Sequence, residues 1–174
     1  RAASVDECLN AGVADDVGLD LASAVAGADL VILCTPIAQM APLTAAMRPA
    51  LEHGAIVTDV GSVKASVVRA LESPIAQAGA EFIGSHPMAG LEKMGVRAAR
   101  ADLFQGAACV VTPTVRSHPG SVRRVKEFWQ AVGGVPLEMP AEEHDLCVAR
   151  SSHLPHFLAA ALAQYVLDPR HPPS

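Results

Sequence analysis

Four consecutive apolar residues, Leu30 to Leu33, inside the run DLVILCTP (29–36) constrain this chain more than any other segment. A strand with one wet face alternates apolar and polar side chains. An unbroken apolar run stopped by Pro36 reads instead as a strand covered on both faces, as in a buried parallel sheet. The same punctuation recurs downstream. Residues 55–60 (AIVTDV), 80–84 (AEFIG, ending just before His86), 107–113 (AACVVTP) and the stretch Val135–Glu138 read as further strands. Helical patterns fill the gaps at 38–52, limited by Pro42 and Pro49, at 63–79, interrupted near Pro74, and at 120–132. Strands alternating with helices imply βαβ units and a parallel sheet. Aromatic residues make up only 3% of the chain, so the core has to be built from Ala, Val, Leu and Ile.

Ahead of these units, SVDECLNAG (4–12) predicts a helix, with Ser4 and Glu7 at capping-box spacing and Gly12 at the stop. LDLASAVAGA (19–28) predicts a second, short helix capped by Asp20. From Pro140 the character changes. Pro140, Glu142 and Glu143 suit a helix start. Leu154, Phe157, Leu158, Ala161, Leu162, Tyr165 and Val166 then recur every three or four residues as an apolar stripe. Pro155 is expected to kink this helix. A long helix after a finished α/β pattern suggests the start of a second, helical domain. The chain opens on Arg1 rather than Met and closes on DPRHPPS, which reads as a frayed tail; we expect a fragment.

The formal net charge of −5, with no basic run, argues against nucleic acid, whose phosphates demand clustered Lys and Arg. No apolar stretch reaches the roughly 18 residues of a membrane helix, and no secretory signal is expected. The four cysteines show no CxxC spacing, and Cys34 and Cys109 sit in apolar runs as expected buried thiols. A reducing cytoplasm is the simplest setting.

In open α/β sheets ligands bind beyond the carboxyl ends of the strands. Three strand ends carry polar or conformationally special residues: Thr35-Pro36, then DVGSVK (59–64) with Gly61, Ser62 and Lys64, then GSHPMAG (84–90) with Ser85 and His86. Parallel strands would bring all three to one edge. Pro87 biases His86 towards extended backbone, and Gly84 and Gly90 permit close approach. A neutral imidazole there can take a proton, with a hydroxyl such as that of Ser62 orienting it. Position alone leaves a second role open, that of a histidine bonded only to backbone. On the helix from 140, Ser152 and His156 lie four apart and share a face. His153, His156, Asp145 and Cys147 are metal-ligand types, but their spacing fits no zinc motif and Pro155 interrupts them.

DLVILCTP, DVGSVK, GSHPMAG and HDLCVARSSHLPH (144–156), in this order and spacing, resemble the prephenate/arogenate dehydrogenase family. The resemblance implies an α/β chain: a partial Rossmann-like parallel sheet with helices on both faces over residues 1–139, binding a nicotinamide dinucleotide. The first helix of an α-helical substrate and dimerisation domain would follow at 140–174. It implies oxidative decarboxylation of prephenate to 4-hydroxyphenylpyruvate, or of arogenate to tyrosine, with NAD or NADP as cofactor. Hydride leaves the carbinol carbon, the ring hydroxyl loses its proton, and departure of carbon dioxide makes the ring aromatic. By resemblance His86 takes that proton and Ser62 orients it. His156, Ser152 and Ser85 meet substrate, while Thr35, Pro36, Gly61 and Arg1 lie on the cofactor side; no metal is implied. A homodimer is implied for the complete protein.

The departures are as informative. The phosphate loop G-x-G-x-x-G and the acidic residue that selects NAD are missing, and in this family they precede Arg1. The arginine that meets the substrate carboxylate is expected beyond this sequence, and neither Arg150 nor Arg170 is assigned its role. A hydroxyacid or 6-phosphogluconate-type dehydrogenase would use a lysine where the final helix offers His153 and His156. An inactive binding module and a metal-dependent hydrolase complete the alternatives.

Overall fold

The computed structural model describes residues 2–91 and 95–168; Arg1 and the tail from residue 169, Arg170 included, lie outside the described residues. Among these described residues, five strands form one sheet in sequence order: β1 (Leu30–Leu33), β2 (Ile56–Asp59), β3 (Glu81–Pro87), β4 (Ala108–Thr112) and β5 (Val135–Glu138). Seven α-helices accompany them: α1 (Ala2–Asn10), α2 (Leu21–Val25), α3 (Ile37–Met47), α4 (Ala65–Ala76), α5 (Pro119–Ala131), α6 (Ala141–Val148) and α7 (Leu154–Val166). The fold is α/β and Rossmann-like, with α3, α4 and α5 as the crossovers between parallel neighbours.

One pair departs from the parallel expectation: β3 and β4 run antiparallel. A parallel return needs a long, usually helical crossover. The described part of the β3–β4 connection holds only a single 3₁₀ turn, Val96–Ala98. This pairing also corrects the end of β3. The strand does not stop before His86 but runs to Pro87, because β4 takes over where β2 ends. Glu81, Phe82 and Ile83 pair with β2, then Gly84, Ser85, His86 and Pro87 pair with Thr112, Val111, Val110 and Cys109. His86 is therefore a strand residue.

Alternation along the strands feeds two cores, one on each face. Val57 and Phe82 pack with Met40, Met47, Val67, Leu71 and Ile75 beneath α3 and α4. Ile56, Ile83 and Val111 pack with Val122, Val125 and Trp129 of α5. There Phe104 and Phe128 meet Trp129 edge-on, with ring centroids 5.4 and 4.9 Å away. Pro42 and Pro74 lie inside α3 and α4 without interrupting them. A helical proline costs roughly 3 kcal/mol; burial of Leu71 and Ile75 on either side of Pro74 offsets it.

Three end features refine the sequence reading. Asp20 caps α2 by accepting from the Ser23 N–H at 2.9 Å. The helix α1 already runs at Ala2, ahead of Ser4, and Glu7 reaches Arg97 at 2.9 Å. Before Pro155 the helical path loosens into a π-helical turn, Ala149–His153, and α7 starts afresh with the proline in its first turn, where a missing N–H costs nothing. The apolar stripe of α7 is exposed, with Phe157 at 69%.

Gly84 sits at the changeover in β3. A Cβ there would lie 2.5 Å from Thr112 Oγ1 and 3.2 Å from Val68 Cγ2. Gly84→Ala is expected to cost about 1–3 kcal/mol through overpacking. An unchanged urea midpoint would show that Thr112 can swing clear.

Candidate active site

The carboxyl ends of β1, β2 and β3 open onto one cavity of about 520 Å³. Cys34, Thr35 and Pro36 line it from β1, Gly61 and Ser62 from β2, and His86 from β3, with Phe104 closing one side. The convergence expected of the three loops is present, within the size range of small-molecule sites. Cys34, one residue past the end of β1, is exposed rather than buried, unlike Cys109 in mid-strand. Gly61 has no room for a side chain: a Cβ would lie 2.8 Å from Asp59 Oδ2 and 3.3 Å from Ile37.

His86 is held by partners other than the one anticipated. Its Nδ1 lies 2.9 Å from His144 Nε2, and His144 Nδ1 lies 2.8 Å from Asp145 Oδ1. Asp145 in turn accepts the main-chain N–H groups of Lys64 (2.6 Å) and Ala65 (3.0 Å) at the start of α4. Burial pulls the Asp145 carboxyl up, but these N–H donors and His144 together hold it below the usual range. An ionised Asp145 can only accept, so with both imidazoles neutral the relay has one consistent assignment. His144 donates from Nδ1 and accepts at Nε2. His86 donates from Nδ1 and keeps its Nε2 lone pair. Among the described residues nothing bonds that Nε2. Burial, then the charges of His144, Lys64 and His153, push the His86 pKa down to about 4 against the pull of Asp145.

Beneath the ring lies a buried ion pair. Lys64 and Asp59 are both fully buried, with Lys64 Nζ on Asp59 Oδ2 and 2.7 Å from the Ser85 carbonyl. Burial pushes the Asp59 carboxyl up and the Lys64 ammonium down, each resisted by the other. Asp59 Oδ1 also accepts the Ser85 N–H at 3.1 Å.

The anticipated residues separate into groups. Thr35, Pro36, Gly61, Ser62 and His86 share the cavity wall. Ser62 is exposed there and has no hydrogen bond to His86 among the described residues; His144 does the orienting. Ser85 faces away, since neighbours in a strand point to opposite faces. Its hydroxyl is fully buried, donating to Asp59 O at 2.7 Å and lying 2.8 Å from Thr58 Oγ1. Ser152 and His156 are exposed on the π-helical turn and α7 and do not line this cavity. Arg1 lies outside the described residues. No group of three or more His, Cys, Asp or Glu among the described residues is arranged to hold a metal ion.

The sequence placed Lys64 at a strand end without a role and offered Asp145 only as a metal-ligand type, and neither His144 nor Asp59 was singled out. One signal was available: His144 falls on the buried face of α6, between Ala141 and Val148. A histidine on an apolar stripe needs a polar partner.

Comparison with known proteins agrees with this geometry. The family described as "Prephenate dehydrogenase, nucleotide-binding domain" matches residues 2–137. Cyclohexadienyl dehydrogenase of Zymomonas mobilis is 40% identical over 154 residues, 88% of this chain and 51% of that protein. A crystal structure of prephenate dehydrogenase from A. aeolicus, in complex with hydroxyphenyl propionate and NAD+, superposes with a TM-score of 0.89 at 32% identity, covering 96% of this chain and 58% of that one. Synechocystis arogenate dehydrogenase gives 0.82 at 32% identity, covering 97% and 59%. The chain spans about half the length of the curated relatives it matches. With the family profile covering most of its length and the strand ends converging on His86, this chain belongs to the prephenate dehydrogenase family.

Proposed function

We propose that this chain supplies the catalytic histidine and the nicotinamide-side wall of an enzyme that oxidatively decarboxylates prephenate to 4-hydroxyphenylpyruvate. The observation that carries the reading is a neutral His86 whose Nδ1 is fixed by the His144–Asp145 relay and whose Nε2 remains available on a cavity at the strand ends. Residues 1–139 are the nucleotide-binding part and residues 140–174 begin the helical substrate and dimerisation domain of a cytoplasmic homodimer. No helix among the described residues is long and apolar enough to cross a membrane.

A nicotinamide dinucleotide, NAD or NADP, fits the residues of the wall. Thr35 Oγ1 is buried without a hydrogen-bond partner among the described residues, beside Pro36 and the side-chain-free Gly61. These three would hold the nicotinamide end. When bound, the cofactor supplies the hydride acceptor.

The chain's own residues manage the proton. His86 Nε2 accepts a hydrogen bond from the ring hydroxyl of the substrate. That hydroxyl becomes far more acidic as hydride leaves its carbon, so a weak base suffices, and a depressed pKa keeps His86 fully neutral beforehand. Once protonated, His86 passes part of its charge through His144 towards the Asp145 carboxylate. Ser62, exposed on the same wall, orients the substrate hydroxyl, and Ser152 and His156 contact substrate from the helical segment. Loss of carbon dioxide from the ring carboxylate then drives its electron pair into the ring, and the oxygen, now phenolate, takes its proton back from His86 to give the aromatic 4-hydroxy product.

The test is prephenate oxidation by the full-length protein, followed by nicotinamide absorbance, with arogenate as the competing substrate. His86→Asn is expected to lower kcat about 10²–10⁴-fold while leaving the fold intact. Full turnover by that variant would sink the assignment.

The depressed pKa of His86 sets a pH window. The group titrates near 6.5 unfolded and about 4 folded. Between those values the unfolded chain binds a proton that the folded chain does not, so stability falls as pH drops from 6.5 towards 4. His86→Gln should flatten this part of a plot of urea midpoint against pH. A slope equal to the parent's would place the proton elsewhere.

A further inference from the structure

We infer that the buried Asp59–Lys64 pair acts as a surrogate strand that positions His86, with Lys64 holding both the catalytic strand and the relay behind the ring. The inference rests on the reading of His86 as the base. Alternate residues of β3 turn their main-chain groups towards β2: the Glu81 N–H bonds the Ala55 carbonyl at 2.9 Å. Ser85, four residues on, points the same way, but β2 has ended at Asp59 and its ladder with β3 stops at Thr58 and Ile83. Side chains complete what the strand leaves undone. Asp59 Oδ1 accepts the Ser85 N–H at 3.1 Å, and Lys64 Nζ donates to the Ser85 carbonyl at 2.7 Å. Both main-chain groups of the residue before His86 are thereby satisfied on the β2 side.

Lys64 also contributes through its own backbone. Its N–H binds Asp145 Oδ1 at 2.6 Å, and Asp145 holds His144, which holds the His86 ring. One residue thus anchors the backbone of His86 through Ser85 and its ring through the relay. A buried ion pair is a poor source of stability, because desolvation consumes most of the attraction. Its value here is geometric. The groups facing His86 are His144 and Asp145 of α6, His153 of the π-helical turn and Lys64 ahead of α4.

The test uses the full-length protein carrying Lys64→Met, and Asp59→Asn/Lys64→Met, which removes both charges and leaves no unpaired carboxylate should the single variant not fold. Circular dichroism checks the fold. Two readouts follow: kcat against KM for prephenate, and the ¹⁵N NMR titration of the His86 ring, which needs no substrate. We expect kcat to fall by about 100-fold, as for a small misplacement of a catalytic group, with KM essentially unchanged. We also expect the ring to lose its single Nδ1–H tautomer: the main-chain N–H of residue 64 still holds Asp145, but the freed Ser85 backbone carries the ring off His144, whereas loss of the Lys64 charge by itself only raises the titration. A folded double variant with the parent's kcat and the parent's single Nδ1–H tautomer at His86 would overturn the proposal. Loss of the single Nδ1–H tautomer with unchanged oxidation would uphold the positioning role and refute His86 as the base.

Discussion

The Asp145 carboxylate ties this molecule together. It belongs to α6, which follows the sheet, yet it accepts two main-chain N–H groups at the start of α4, some 80 residues earlier. A helix start is electropositive and short of acceptors, and a carboxylate satisfies both conditions. The helix gains a cap it does not supply itself, since Lys64 caps nothing with its side chain. The site gains an anchored His144 and, through it, an oriented His86. That contact and the His144–His86 bond together fix α6 against the end of β3.

The cavity combines opposing demands. A proton acceptor must be neutral, accessible and aimed, while burial tends to hide a ring and the nearby Lys64 charge discourages protonation. Reversal of partner along β3 reconciles them. Parallel pairing brings the strand up from the core beside β2, and antiparallel pairing with β4 carries it four residues further, so His86 reaches the cavity on rigid backbone rather than on a loop. A strand-borne side chain has little freedom to drift from a productive geometry, which proximity effects reward strongly.

Much of this was legible in the residues. Leu30–Leu33, AIVTDV and AACVVTP announced strands because their apolar runs admit little else, and Val135–Glu138 emerged with its limits unchanged. The convergence of Thr35, Gly61, Ser62 and His86 followed from the rule that strand ends gather on one edge. The far half of β3 was not legible. Ser85, His86 and Pro87 carry no strand pattern of their own, and the partner that makes them a strand lies more than twenty residues on. The relay escaped for a related reason. Spacing along a helix shows which residues share a face, but not which distant ring that face meets, so Ser62, near His86 in the motif order, stood in for His144. Pro74 misled because a proline's cost is local, whereas Leu71 and Ile75 secure α4 through the core.

The aromatic cluster on the opposite face has an optical consequence. Trp129 is the only tryptophan in the sequence and is almost wholly buried. It touches Phe104, the same ring that closes one side of the cavity. The chain's single strong fluorophore is therefore one van der Waals contact from the site, shielded from water and lodged against α5. Emission from this indole reports on the cavity wall that Phe104 shares with His86, with no label attached and no second tryptophan in this sequence to dilute the signal.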